Sequence, residues 1–226
     1  MPDGPPENTL SAFRHAVELG FRYLETDVHA TADGRLAAFH DPDLRRTCGR
    51  DGSISDLTAE ELAAVRVADR ETIPMMEELL EEFPDARFNI DAKSDAAVEP
   101  LIELLRRTAS LDRVCIGSFS HRRLGRIRSA FGEYGCTSAS PREVASWVAG
   151  RVPNGPDCLQ VPMRQGSIPV VTARTVARAK RAGLPLHVWT IDDASTMQNL
   201  IDLGVDGIMT DHAPRLREVA RANGRW

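Results

Sequence analysis

The chain has 226 residues, of which 42% are hydrophobic and 27% charged, and it carries a net charge of −5 at neutral pH. That length suits one domain with a sizeable core, and neither Lys nor Arg dominates any stretch, which argues against nucleic acid or an anionic membrane surface as a partner. No apolar run reaches the roughly 20 residues of a membrane span. No leader segment is recognisable, and Cys48, Cys115, Cys136 and Cys158 are scattered without metal-like or CxxC spacing, so buried free thiols in a reducing cytoplasm are expected.

Taken in chain order, the pattern predicts a helix over 8–19. Leu10, Phe13, Ala16 and Val17 form one apolar stripe, and Gly20 closes it. A strand follows at 22–28. Asp33-Gly34 is a hairpin signal, after which 35–39 resumes the strand pattern. A parallel neighbour would need a crossover of about a dozen residues or more, so 35–39 reads as an antiparallel side strand that swings His40 back toward the end of 22–28. Segment 42–74 is polar and turn-rich, with a short helix near 58–65 whose Thr58-Ala-Glu-Glu61 reads as a capping box. After a helix at 75–82, strands at 87–91, 114–118, 134–137, 158–161, 186–190 and 207–210 alternate with helices near 95–107, 121–131, 141–149, 173–182, 193–203 and 213–222. Gly183 and Gly204 stand where helix C-caps belong. This alternation predicts a parallel α/β fold, and the strand count comes close to a single (β/α)8 (TIM) barrel domain over residues 1–226. Seven barrel strands are counted, and because the chain opens on a helix the first strand is expected upstream.

In such a barrel, functional side chains gather at the C-terminal ends of strands, and acids concentrate there. Glu25 and Asp27, two apart on one strand, share a face. Asp91 ends strand 87–91, with Lys93 two residues on, and the last two strands run into Asp192 and Asp211. Two acids on one inward face are costly unless a cation or proton relieves them. Glu25, Asp27 and Asp91 together offer oxygen ligands for one hard divalent ion, Mg²⁺ or Ca²⁺; the plainer alternative is a solvated strand end. His40 beside such a site could exchange protons, or be a satisfied structural histidine. Lys93, one of two lysines, could neutralise a phosphate or pair with Asp91 or Asp95.

A string of motifs carries a resemblance. Pro6-Glu-Asn-Thr-Leu10, Leu24-Glu-Thr-Asp-Val28, Thr31-Ala-Asp-Gly34, Phe39-His-Asp41, Arg46-Thr47, Ile73-Pro74, Asn89-Ile-Asp-Ala-Lys93, Gly117-Ser-Phe119, Val188-Trp-Thr190 and Gly204-Val-Asp-Gly-Ile-Met-Thr-Asp211 resemble, in order and spacing, the landmarks of the glycerophosphodiester phosphodiesterase family. The resemblance implies a barrel of the phospholipase C-like phosphodiesterase type and one divalent cation, Mg²⁺ or Ca²⁺, on Glu25, Asp27 and Asp91. It implies His40 as one of two acid–base histidines, Lys93 on the phosphate, Glu7 ordering the site, and Phe119 and Trp189 lining the alcohol pocket. Without it, both aromatics read as core. The substrate it implies is a small glycerophosphodiester, cleaved to an alcohol and glycerol 3-phosphate.

Three departures stand out. The family's first strand ends in His-Arg-Gly, which would lie before Met1; the usual glutamate is the shorter Asp91; and Asp192 replaces an asparagine. The first leads to the expectation of a chain with strand edges at 22–28 and 207–210 unpaired, poorly soluble and weakly active. Two other readings stand beside hydrolysis: a phospholipase C- or D-like relative, for which 42–74 is too polar to form an apolar rim, and a non-catalytic phosphate-binding barrel.

Overall fold

The structure is a computed structural model and describes residues 4–226. They group into two compact units that divide after Cys136.

The first unit opens with α1 (Leu10–Glu18), capped by Thr9, whose hydroxyl accepts from the Ala12 N–H and donates to the Pro6 carbonyl. Strand β1 (Tyr23–Ala30) turns through Asp33-Gly34 into β2 (Leu36–Ala38), which pairs with it antiparallel, Val28 opposite Ala38. Gly34 sits at φ +77°, a conformation that costs a Cβ-bearing residue strain. The side hairpin predicted from that turn is therefore present. Short helices α2 (Arg45–Cys48) and α3 (Ala59–Leu62) follow, the second with the predicted Thr58–Glu61 capping box. Then come α4 (Met76–Glu82), β3 (Arg87–Ala92), α5 (Val98–Arg107), β4 (Val114–Gly117), α6 (His121–Phe131) and β5 (Cys136–Thr137). The sheet runs β2-β1-β3-β4-β5. β1 and β3 are parallel with Asp27 opposite Asp91, and β3 and β4 are parallel with Asp91 opposite Gly117.

The helices bury one face on this sheet. Phe13, Leu79, Phe88, Ile90, Leu101, Leu105, Ile116 and Ile127 form a continuous core, and β3 shows why. Phe88, Ile90 and Ala92 are buried toward the helices, while Asn89 and Asp91 fall on the other face. Two expectations need correction. The strand expected at 134–137 is only Cys136–Thr137, because Gly132 leaves α6 at φ +59° and a short 3₁₀ turn occupies Gly132–Tyr134. Of the four free thiols, Cys158 alone is fully buried; the others are half-buried. Segment 42–74, polar overall, nevertheless has its own small core. Leu44, Ile54, Leu62, Val65, Val67 and Ile73 pack on Ala37 and Phe39 of the hairpin.

The second unit contains α7 (Pro141–Val148), capped reciprocally by Ser140 and Glu143, β6 (Leu159–Pro162), and a two-residue-stranded hairpin, β7 (Arg164–Gln165) with β8 (Ile168–Pro169). That hairpin was not foreseen. It is followed by α8 (Ala173–Ala182), β9 (Leu186–Trp189), α9 (Ala194–Leu203), β10 (Gly207–Ile208) and α10 (Ala213–Ala222). The parallel sheet runs β10-β9-β6. Gly183 and Gly204 end α8 and α9 at φ +68° and +81°, as their C-cap positions predicted. The seven segments expected to be barrel strands all appear as strands. Among the described residues, no helix is long and apolar enough to cross a membrane.

Candidate active site

Alternation along β1 puts Glu25, Asp27 and His29 on the face opposite the helix-packed core, and β3 adds Asn89 and Asp91 beside them in register. Asp27 and His29 are buried there, whereas Glu25 is exposed. Lys93 continues past β3, its N–H donating to the Val28 carbonyl. Its ammonium stands 2.7 Å from Asp27 Oδ1 and 3.7 Å from Asp91 Oδ2. The two aspartates are thus drawn together with a cation between them. Burial pushes the Asp91 carboxyl up to about 6, against the pull of Lys93, with the Asp27 charge adding to the rise. Burial likewise raises Asp27, and the Lys93 charge opposes it. For Lys93 burial works in the lowering direction, but Asp27, then Asp91 and Glu25, more than offset it and hold the ammonium above the usual lysine range.

Asp91 Oδ1 is buried without a hydrogen-bond partner. An orphaned carboxylate oxygen in a polar site is costly, and it is the feature that a bound cation would relieve. No three His, Cys, Asp or Glu side chains form a ready-made metal cluster among the described residues. What forms instead is the aspartate pair around Lys93, with Glu25 on the same strand face. The unsatisfied Asp91 oxygen, beside Asp27, is the kind of donor that a hard cation takes.

His40 arrives at the end of the hairpin, where the Phe39 N–H still donates to the Asp27 carbonyl. The ring is half-exposed, and its Nδ1–H donates to Asp41 Oδ1 at 2.6 Å. That leaves Nε2 as the atom able to exchange a proton. Arg46 clamps Asp41 from behind, Nε to Oδ2 at 2.5 Å, and reaches Glu7 with both terminal nitrogens at 2.8 and 2.5 Å. The Arg46 guanidinium, helped by His40, holds the Asp41 carboxyl below the usual carboxylate range, so Asp41 is an acceptor only. Glu7, expected to order the site, therefore touches it through Arg46. The Pro6–Thr9 turn holds Glu7 in place. Asn8 takes φ +54° and its amide oxygen accepts from the buried Thr26 hydroxyl at 2.7 Å, while Thr9 caps α1.

Phe119 is 63% exposed, and the Lys93 ammonium lies 5.7 Å from its ring centre. The core role that Phe119 would have without the resemblance is excluded. Trp189 closes β9 in the second unit, half-buried and opposite Pro162. In the same unit Asp192 Oδ1 accepts from the Thr210 hydroxyl and the Asp211 N–H, so the Asp192 carboxylate ties the two strand ends together.

Three residues in this constellation were not singled out as site residues from sequence. His29 could have been found, since it extends the Glu25, Asp27 alternation by one more step. Asp41 and Arg46 lay inside recognised motifs, but nothing in their spacing pairs Arg46 with Glu7.

The sequence model of the glycerophosphoryl diester phosphodiesterase family matches residues 1–214. The chain is 38% identical to "Probable glycerophosphodiester phosphodiesterase 2" of Mycobacterium tuberculosis, over 98% of this chain and 88% of that one. It is 31% identical to the glycerophosphodiester phosphodiesterase of Caldanaerobacter subterraneus, over 97% and 94% respectively. Among solved structures it is similar to an Oleispira antarctica phosphodiesterase in complex with the product sn-glycerol 3-phosphate. The TM-score is 0.82 and the identity 22%, over 97% of this chain and 93% of that one. That likeness gives the chain the TIM-barrel fold of those enzymes. A match of that extent, together with two relatives above 30% identity along nearly their whole length, means that the chain belongs to the glycerophosphoryl diester phosphodiesterase family.

Proposed function

We propose that this chain hydrolyses glycerophosphodiesters to an alcohol and glycerol 3-phosphate, with Glu25, Asp27 and Asp91 holding one divalent cation, Mg²⁺ or Ca²⁺. The observation that carries this reading is the buried Asp27–Lys93–Asp91 group with its unsatisfied carboxylate oxygen, adjoining a histidine whose Nδ1–H is fixed on a carboxylate. A cation bound there would supply positive charge to the phosphoryl oxygens and acidify the attacking oxygen.

The chain's own groups do the rest. Lys93 is held charged by the aspartates and would face a phosphate as a point charge. His40 keeps Nδ1–H on Asp41 and exchanges a proton through Nε2 with the attacking or leaving oxygen. Its nearness to Asp27, whose ionised form it stabilises, puts that exchange beside the charged group. Exposed Phe119 next to Lys93 offers an apolar surface to the alcohol.

The test is turnover of glycerophosphocholine with Mg²⁺ or Ca²⁺, followed by release of choline and glycerol 3-phosphate. His40→Ala should lower turnover by about 10²–10⁴ while calorimetric cation binding survives. Loss of cation binding together with activity would make His40 a ligand or a structural residue. Lysophosphatidylcholine run in parallel separates the phospholipase D-like reading, which predicts that it is the better substrate.

A further inference from the structure

His29 is a buried titratable group on the active face of β1 to which the proposed reaction gives no task. It is 8% exposed. A buried imidazole needs a partner for its N–H, and the partner found is specific. His29 Nε2 lies 3.1 Å from the backbone carbonyl of His40. A carbonyl can only accept, so Nε2 carries the proton and donates.

The place of this bond in the hairpin gives it meaning. The β1–β2 ladder pairs Ala30 with Leu36, His29 with Ala37 and Val28 with Ala38. The Phe39 N–H then donates to the Asp27 carbonyl. One residue later the strand has ended and the chain turns into Asp41-Pro42, so the His40 carbonyl accepts its bond from a side chain of the facing strand. Phe39 is itself fixed in the small core of 37–75. The side-chain bond fixes how the His40 backbone leaves the ladder, and thereby where its Cα–Cβ bond points. Asp41 then fixes the rotation of the ring.

We infer that His29 is a positioning residue for His40, fastening the carbonyl of the proton-transferring residue to strand β1. This rests on the reading of His40 as the acid–base group. It differs from a metal-ligand role for His29, because the nitrogen it presents is already committed to a protonated bond.

The geometry calls for a donor at the Nε2 position and nothing else of histidine's chemistry. Gln, whose amide nitrogen reaches a similar distance, should therefore replace it, and Leu, of similar bulk, should not. For His29→Leu we expect kcat on glycerophosphocholine to fall by about tenfold to a hundredfold, the scale of a misplacement near 1 Å. KM and cation affinity should stay within about twofold of the parent, and His29→Gln should recover kcat to within about threefold. Unchanged kcat in His29→Leu, or equal loss in Leu and Gln variants that tracks their melting temperatures, would overturn the assignment, as would loss of cation affinity.

A second measurement does not depend on turnover. In ¹⁵N-histidine spectra the parent should show His29 protonated at Nε2, and His29→Leu should shift the His40 ring signals. A His29 protonated at Nδ1 alone, or an undisturbed His40 spectrum, would sink the inference even if phosphodiesterase activity is established. Absent turnover in the parent protein, with these spectra as expected, would instead sink the function and leave the positioning bond standing.

Discussion

Asp91 concentrates the electrostatic cost of the site in one side chain. Its ordinary pKa is 3.8, and burial lifts it to about 6. The folded, cation-free protein therefore holds that proton more tightly than the unfolded chain does. The resulting stability is fully present below about pH 4 and is lost as pH rises through about 6, a loss of about 3 kcal/mol at most. In EDTA, urea midpoints of the parent should fall between about pH 4 and 6.5, and Asp91→Asn should flatten that fall; identical profiles would remove Asp91 as its cause. Arg46 makes the opposite case. Its contacts with Glu7 are about half-exposed at both ends, so the pair contributes little to stability, on the order of 0–1 kcal/mol. Arg46→Met should hardly move the melting temperature yet lower kcat by about tenfold, because Asp41 would lose the clamp that keeps it on His40. The aspartates and Lys93 were legible in the sequence because a strand's two-residue period is a local rule. The Glu7–Arg46 contact was not, because it joins chain positions whose meeting depends on the tertiary fold.

At the scale of elements, the β1–β2 hairpin does the positioning. Asp33 Oδ1 accepts from the Thr31 hydroxyl at 2.6 Å inside the turn and from the Ala59 N–H at 3.0 Å at the start of α3. The turn and the short helix are therefore fastened by one carboxylate. Asp33→Ala should lower the melting temperature by roughly a few degrees, because the turn and the start of α3 lose their shared acceptor. A larger drop in kcat than in stability would show His40 moving with the turn. The hairpin, the Thr58 cap and the glycine stops were readable because each is written in two to four adjacent residues. The β7–β8 hairpin escaped notice for the opposite reason: its strands are two residues long and wholly exposed, so no hydrophobic alternation announces them. Nor does any shift of composition mark the division after Cys136.

For the whole molecule, the proposed cation site would make stability a reporter of ligation. A cation bound by the folded chain alone adds about 2.7 kcal/mol at a hundred times its Kd, or roughly 5–10 °C in melting temperature for a chain of this size. Mg²⁺ or Ca²⁺ should produce such a rise, and Glu25→Gln, Asp27→Asn and Asp91→Asn should each diminish it; a rise untouched by all three would move the cation elsewhere. The small core built by Leu44, Ile54, Leu62, Val67 and Ile73 around Phe39 has a consequence for the order of folding. Pairing β1 with β3 joins positions as far apart in the chain as Tyr23 and Arg87, and closing so long a loop carries an entropic cost that grows with its length. A segment that first collapses on its own short-range contacts shortens the effective loop and lowers that barrier. Leu62→Ala, remote in sequence from both strands, should then slow refolding more than it speeds unfolding, making residues 37–75 the part of the chain that folds ahead of the sheet it serves.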